Sequence, residues 1–159
     1  MKKISIRTVD ALNAYNVLNV SKFGELESND MVKAWHLIRD LKPIAVKYEE
    51  ECRDAFDKLK PNDKDFDDKL QKFYDYNGMV RNLKADMTNL PMGVAEYEDF
   101  RKNVWEPYQL RVNEALKASA DKKNNIRVET ISDDAFGKLI VSNNWTGSQV
   151  MTVSELLTD

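Results

Sequence analysis

The chain has one histidine, His36, and one cysteine, Cys52. Both fall on a stretch with heptad periodicity, His36 at position f and Cys52 at position a. On one helix those positions face different directions, so the two side chains do not converge on a shared ligand. A zinc site needs three or four ligands, and a Ser-His-Asp arrangement needs an oriented histidine. The expected roles are therefore a solvated histidine and a packed cysteine. The run Asp63-Lys64-Asp65-Phe66-Asp67-Asp68 places acids as a calcium loop does at its first, third and fifth places. Such a loop then needs glycine at the sixth place and glutamate at the twelfth. Here those places hold Asp68 and Tyr74, so the acids read as a helix start and a solvated face. Gly24, Gly78, Gly93, Gly137 and Gly147 are scattered singly and form no phosphate cradle. Glu49, Glu50 and Glu51 diverge by about 100° per residue on a helix and do not meet at one substrate. Lys33 stands where a di-metal bundle would put glutamate, three residues before His36. No catalytic, cofactor-binding or metal-ligating residue is expected, and no cofactor.

The aromatic residues are more informative. Trp35, Phe56, Trp105 and Tyr108 lie near the edges of helical faces. They either complete an ordinary core or form a surface for a partner or a second copy, because apolar area too broad for one bundle must be covered. Trp145 stands beside Asn143, Asn144 and Gly147, where it closes the core or anchors a partner; core closure is the expectation. Asn144-Trp145-Thr146 is formally a glycosylation acceptor, which without a secretory signal reads as chance.

The formal net charge is -3, from 24 basic and 27 acidic residues. No basic stripe is evident along the chain, so nucleic acid is not an expected partner. The best candidates for it, Lys58, Lys60, Lys64, Lys69 and Lys72, are interleaved with Asp57, Asp63, Asp65, Asp67 and Asp68. A lone cysteine excludes an internal disulfide. Lys2 and Lys3 resemble the start of a signal peptide, but Ser5, Arg7, Thr8 and Asp10 break any apolar region after them. No stretch approaches the ~20 apolar residues of a membrane span. The cytoplasm is the expected location.

Those side chains must be positioned by helices. Met31, Ala34, Ile38, Leu41, Ala45, Tyr48, Cys52, Ala55 and Leu59 recur at alternating steps of three and four, which predicts one long helix over about 30–60. In its first half the flanking positions Trp35, Leu37 and Ile44 are also apolar, which predicts burial on two sides. In its second half they become Glu49, Glu51 and Lys58, which predicts a narrower seam. Pro43 falls at position f and should kink the helix while leaving its packed face intact; a break there is the competing reading.

Ile4 and Ile6 alternate with polar residues, as in a short strand, with Thr8 as N-cap of a helix over about 9–20. Ser28 or Asn29 caps the long helix. Pro61-Asn62-Asp63 is a turn, with Asp63 as a new cap. Phe66, Leu70, Phe73, Val80, Leu83, Met87 and Leu90 keep helical spacing, as one helix or as two divided at Asn77-Gly78. A helix over about 95–119 carries Tyr97, Phe100, Val104, Tyr108, Val112 and Leu116, bent at Pro107. Asp121 to Asn125 is a polar turn, and Ile126 to Ile131 a strand whose natural partner is Ile4–Ile6. Ser132 caps a helix with Phe136, Leu139 and Ile140 inward. Val150 to Leu157 fits either strand or helix.

Several stretches together resemble small, uncharacterised helical proteins of tailed bacteriophages and prophages. They are Leu12-Asn13-Ala14-Tyr15, the run from Lys33 to Ile44 followed by Tyr48-Glu49-Glu50-Glu51, and Arg127-Val128-Glu129-Thr130-Ile131. The likeness covers both ends of the chain and little of residues 62–95. It implies a role around particle assembly or within a prophage gene cluster, with the virion as an alternative location, and carries over no functional residue. The expected fold is mainly α, an antiparallel long-helix bundle with a small β-pairing. It forms a single domain, with a core of about 28–119 and a cap made by 1–24 and 120–159. The expected function is non-catalytic structural or interaction work, with a protein partner or a second copy. The alternative is a small regulator that binds nucleic acid or a host protein.

Overall fold

The computed structural model describes residues 1–81 and 89–159. The fold is mainly α, with one antiparallel pair of strands among the described residues. In chain order the elements are β1 (Lys2–Arg7), α1 (Thr8–Asn19), α2 (Ser28–Lys58), α3 (Phe66–Arg81), α4 (Val94–Phe100), a π-helical segment (Arg101–Trp105), α5 (Glu106–Asp121), β2 (Lys123–Val128), α6 (Asp133–Asn143) and α7 (Gly147–Leu157). The chain divides into two compact units, one of residues 1–52 with 117–159 and one of residues 53–116. The division falls within α2 and within α5. Among the described residues no helix is long and apolar enough to cross a membrane.

The first unit is closed by the sheet. Ile4 pairs with Ile126 and Lys2 with Val128, as the alternation in β1 predicts. β2 begins earlier than its apolar residues suggest: Lys123, Asn124 and Asn125, expected in a turn, continue the ladder, and Ile131 lies beyond it. The backbone supplies the reason. Thr8 N–H donates to the Lys122 carbonyl at 2.9 Å, so the ladder runs to the foot of α1 regardless of side-chain polarity. Thr8 is also not the N-cap. It is buried as the first residue of α1, its hydroxyl donates to the same Lys122 carbonyl at 2.9 Å, and it accepts from Asn124 Nδ2 at 2.8 Å. Arg7 takes the cap position and reaches Asp10 at 2.7 Å.

On this frame sits the larger apolar cluster, with Ala11, Ala14 and Leu18 of α1, Leu37 and Leu41 of α2, Leu139 of α6, and Val153, Leu156 and Leu157 of α7. Ser132 caps α6, accepting from Ala135 N–H at 3.1 Å. The ambiguous C-terminal segment is a helix. Thr146 accepts from Gln149 N–H at 3.3 Å, and the Gln149 side chain accepts from Thr146 N–H at 2.9 Å, a reciprocal box that satisfies two otherwise orphaned donors.

α2 runs unbroken through Pro43, which is exposed. The ring takes an N–H from the solvent side, where water can serve the freed Arg39 carbonyl. The packed stripe is narrower than predicted and rotated. Ala34, Leu37, Leu41 and Ala45 are buried, while Met31 and Trp35 are exposed and Ile38 is half-buried. The first half of α2 is therefore covered on the Leu37–Ile44 side and open on the Trp35 side.

In the second unit α3 passes through Asn77-Gly78 without a break. Tyr97 donates its hydroxyl to Asn77 Oδ1 at 2.5 Å, and its ring stacks on Tyr76 at 4.0 Å. These contacts hold the turn that glycine weakens. Leu83 and Met87 lie outside the described residues. Asp63 accepts from Asp65 N–H at 2.9 Å at the entry to α3. The expected bend at Pro107 takes the form of the π segment just before it. Pro107 has no N–H for the Asn103 carbonyl, and Glu106 N–H instead reaches back to the Arg101 carbonyl. In a straight α-helix Phe100 and Tyr108 would stand about 80° apart. The extra residue in the wide turn brings them onto one face. They are buried there with Val112, Phe66 and Phe73, and the Phe66 and Tyr108 rings meet edge-on at 5.2 Å.

Replacing Thr146 by Ala removes one arm of the box at the start of α7. The expected cost is about 1 kcal/mol of unfolding free energy by urea denaturation, at constant m-value.

Candidate interaction surface

Several large apolar residues are exposed on the outward face of α2. Trp35 is 56% exposed. Its ring meets two residues that follow it on the helix: the Arg39 guanidinium sits 5.3 Å from the ring centroid, and the His36 ring centroid is also 5.3 Å away. Met31, Val32 and Val46 are exposed on the same helix. Val32, Trp35, Arg39, Lys42, Val46 and Glu49 follow one another by three and four residues. They form a second heptad stripe, at positions b and e, beside the buried one.

The other aromatic candidates divide. Phe56 is exposed on the second-unit end of α2. Trp105 is half-buried, with its ring 5.2 Å from Phe73. Two are not surface residues at all. Tyr108, 3% exposed, is spent in the second unit's core, and its hydroxyl donates to the Phe56 carbonyl at 2.7 Å. That carbonyl belongs to the last turn of α2, where no intrahelical donor remains for it. Trp145, 9% exposed, packs against Phe136, and its Nε1 donates to Ser21 Oγ at 3.2 Å. It closes the first unit's core, and the preceding Asn144 takes the left-handed conformation that ends α6.

The polar candidates are also resolved. His36 is not simply solvated: its Nδ1 lies 3.0 Å from Glu129 Oε2, tying α2 to the segment after β2. That hydrogen bond, with the attraction of the imidazole behind it, holds the Glu129 carboxyl below the ordinary glutamate range. Cys52 is half-buried beside Tyr48, whose phenol is pushed up by burial and then by its hydrogen bond with Cys52. The cleft next to Tyr48, bounded by Thr8, Ile44, Glu51 and Asn124, holds about 200 Å³. Among the described residues no group of His, Cys, Asp and Glu side chains is placed to hold a metal ion. The lysines around α3 are largely matched by acids: Lys60 with Asp67 at 3.0 Å, Lys69 with Asp63 at 3.1 Å and Lys72 with Asp68 at 3.2 Å.

The outward residues of the sheet are Lys3, Ser5 and Arg7 from β1 and Lys123, Asn125 and Arg127 from β2, all exposed. The period-two alternation is visible in each strand separately. Only the pairing brings the two sets onto one face. Compared with family models, curated proteins and solved structures, the chain matches none.

Tyr108→Phe leaves the Phe56 carbonyl without its donor and is expected to cost about 1–2 kcal/mol in equilibrium unfolding. For Glu129, the lowered carboxyl means that its stabilisation is present above the ordinary glutamate value and is lost as pH falls through the depressed one. Glu129→Gln should therefore lower Tm near neutrality. The gap to the wild type should close on acidification, as thermal melts across that range will show.

Proposed function

We propose that the chain is a non-catalytic interaction protein, and that a second copy docks along the outward face of α2. The observation that carries this reading is Trp35, a large ring left open to water and set against Arg39 and His36. Tryptophan and arginine are the residue types that most often dominate contact energies.

The stripe also supports a self-complementary contact. A second α2 laid antiparallel, with a two-fold axis beside Ile44, sets Arg39 of one copy opposite Glu49 of the other, twice. Val32, Trp35 and Val46 then supply the apolar area along the seam, in the spacing by which helices recognise helices. The resemblance to small phage and prophage proteins supports a setting in particle assembly or in an accessory role, within the cytoplasm or on the virion.

Sedimentation equilibrium tests the reading. The wild type should dimerise, Trp35→Ala and Arg39→Glu should shift it to monomer, and the double exchange Arg39→Glu with Glu49→Arg should restore the dimer. A wild type that stays monomeric to about 100 μM overturns it, since a contact worth about 5.5 kcal/mol would be half formed there.

A further inference from the structure

The solvent face of the sheet carries a charge arrangement that its own stability does not call for. β1 reads KKISIR and β2 reads KNNIRV. Together the strands hold five of the chain's 24 cations and none of its 27 acids. The register sets Lys3 opposite Arg127 and Arg7 opposite Lys123, with Ser5 opposite Asn125 between them. Residues directly opposite in an antiparallel pair share a face, and like charges so placed repel. Arg7 is partly neutralised, by Asp10 at 2.7 Å and Asp121 at 3.6 Å. Glu155 of α7 lines the groove along β1 beside Arg7. Among the described residues no ion pair involves Lys3, Lys123 or Arg127. Charge on exposed strands does discourage pairing with other chains. Alternating signs would serve that purpose equally and would add cross-strand attraction.

We infer that this face is a binding surface for duplex DNA, with the two-stranded ribbon entering the major groove. The major groove is about 12 Å wide and admits a two-stranded ribbon. Laid along the groove, the ribbon turns Lys3 and Arg7 of β1 toward the phosphates of one wall and Lys123 and Arg127 of β2 toward those of the other. Ser5 and Asn125 then face the groove floor, and both are side chains that hydrogen-bond base edges. The strands themselves turn only polar and charged side chains outward. The local concentration of cations offers the phosphate contacts that the net charge of -3 conceals.

The test is fluorescence anisotropy with a labelled mixed-sequence DNA duplex. Three free cations predict a salt slope of about -2.7, or about 40-fold weaker binding between about 50 and 200 mM salt. Lys3→Glu should weaken low-salt binding by about tenfold or more. The same change creates an opposite-charge pair with Arg127, so Tm should hold or rise, and loss of binding cannot then be put down to unfolding. Duplex RNA, whose deep and narrow major groove excludes a ribbon, should bind more weakly than DNA. Three results overturn the inference: no duplex binding at low salt, Lys3→Glu binding as well as the wild type, or binding to phosphatidylcholine vesicles containing phosphatidylserine in preference to DNA.

Discussion

The pairing of β1 with β2 is the contact on which the first unit depends. It joins segments more than a hundred residues apart, anchored where the Thr8 hydroxyl and N–H both reach the Lys122 carbonyl, 114 positions away. Closing so long a loop has an entropic cost that grows only slowly with its length. A short ladder backed by a continuous core can offset it. The ladder brings α1 and the first half of α2 from one end of the chain together with α6 and α7 from the other. Their alanines and leucines, fully or almost fully buried, form the larger core. Two further ties bind the C-terminus to the frame: Ile131 N–H donates to the Leu157 carbonyl at 2.8 Å, and Lys2 Nζ donates to the Thr158 carbonyl.

The second unit solves a different problem with fewer residues. Its core is aromatic, Phe66, Phe73, Phe100 and Tyr108 with Val112. Phe100 and Tyr108, eight residues apart, would drift off one face of a straight helix. The π segment ahead of Pro107 corrects the drift, so the residue that forbids a regular hydrogen bond also sets the register of the packed face. The heavier core lies with the terminal segments and the first half of α2, and the long helix contributes one stripe to it. This explains why the Trp35 side of α2 is bare.

Much of this was legible beforehand, for identifiable reasons. The long helix, its passage through Pro43 and the Ser132 cap follow from local periodicity and local hydrogen bonding. So does the pairing of the Ile4–Ile6 segment with the one containing Ile126, since each strand alternates. The extension of β2 through Lys123 to Asn125 was not legible, because ladder bonds are made by backbone and ignore side-chain polarity. Thr8 has the chemistry of a cap and was drawn instead to a distant carbonyl. Trp35 and Tyr108 look alike in sequence, both aromatic and both at a face edge. One is open and the other buried only because of which helices arrive beside them. Thr146 and Gln149 at capping-box spacing were a local signal that would have settled the C-terminal helix.

From its residues alone the chain determined a mainly helical architecture with a small antiparallel pairing, a packed stripe along a long helix, and an inventory of a single histidine and a single cysteine. These are properties of short-range periodicity and of inventory, which no folding can alter. Tertiary structure alone decided which side of that helix is covered. It also decided that Lys3, Arg7, Lys123 and Arg127 form one basic face, since two short strands at opposite ends of a chain share a surface only after their backbones have paired.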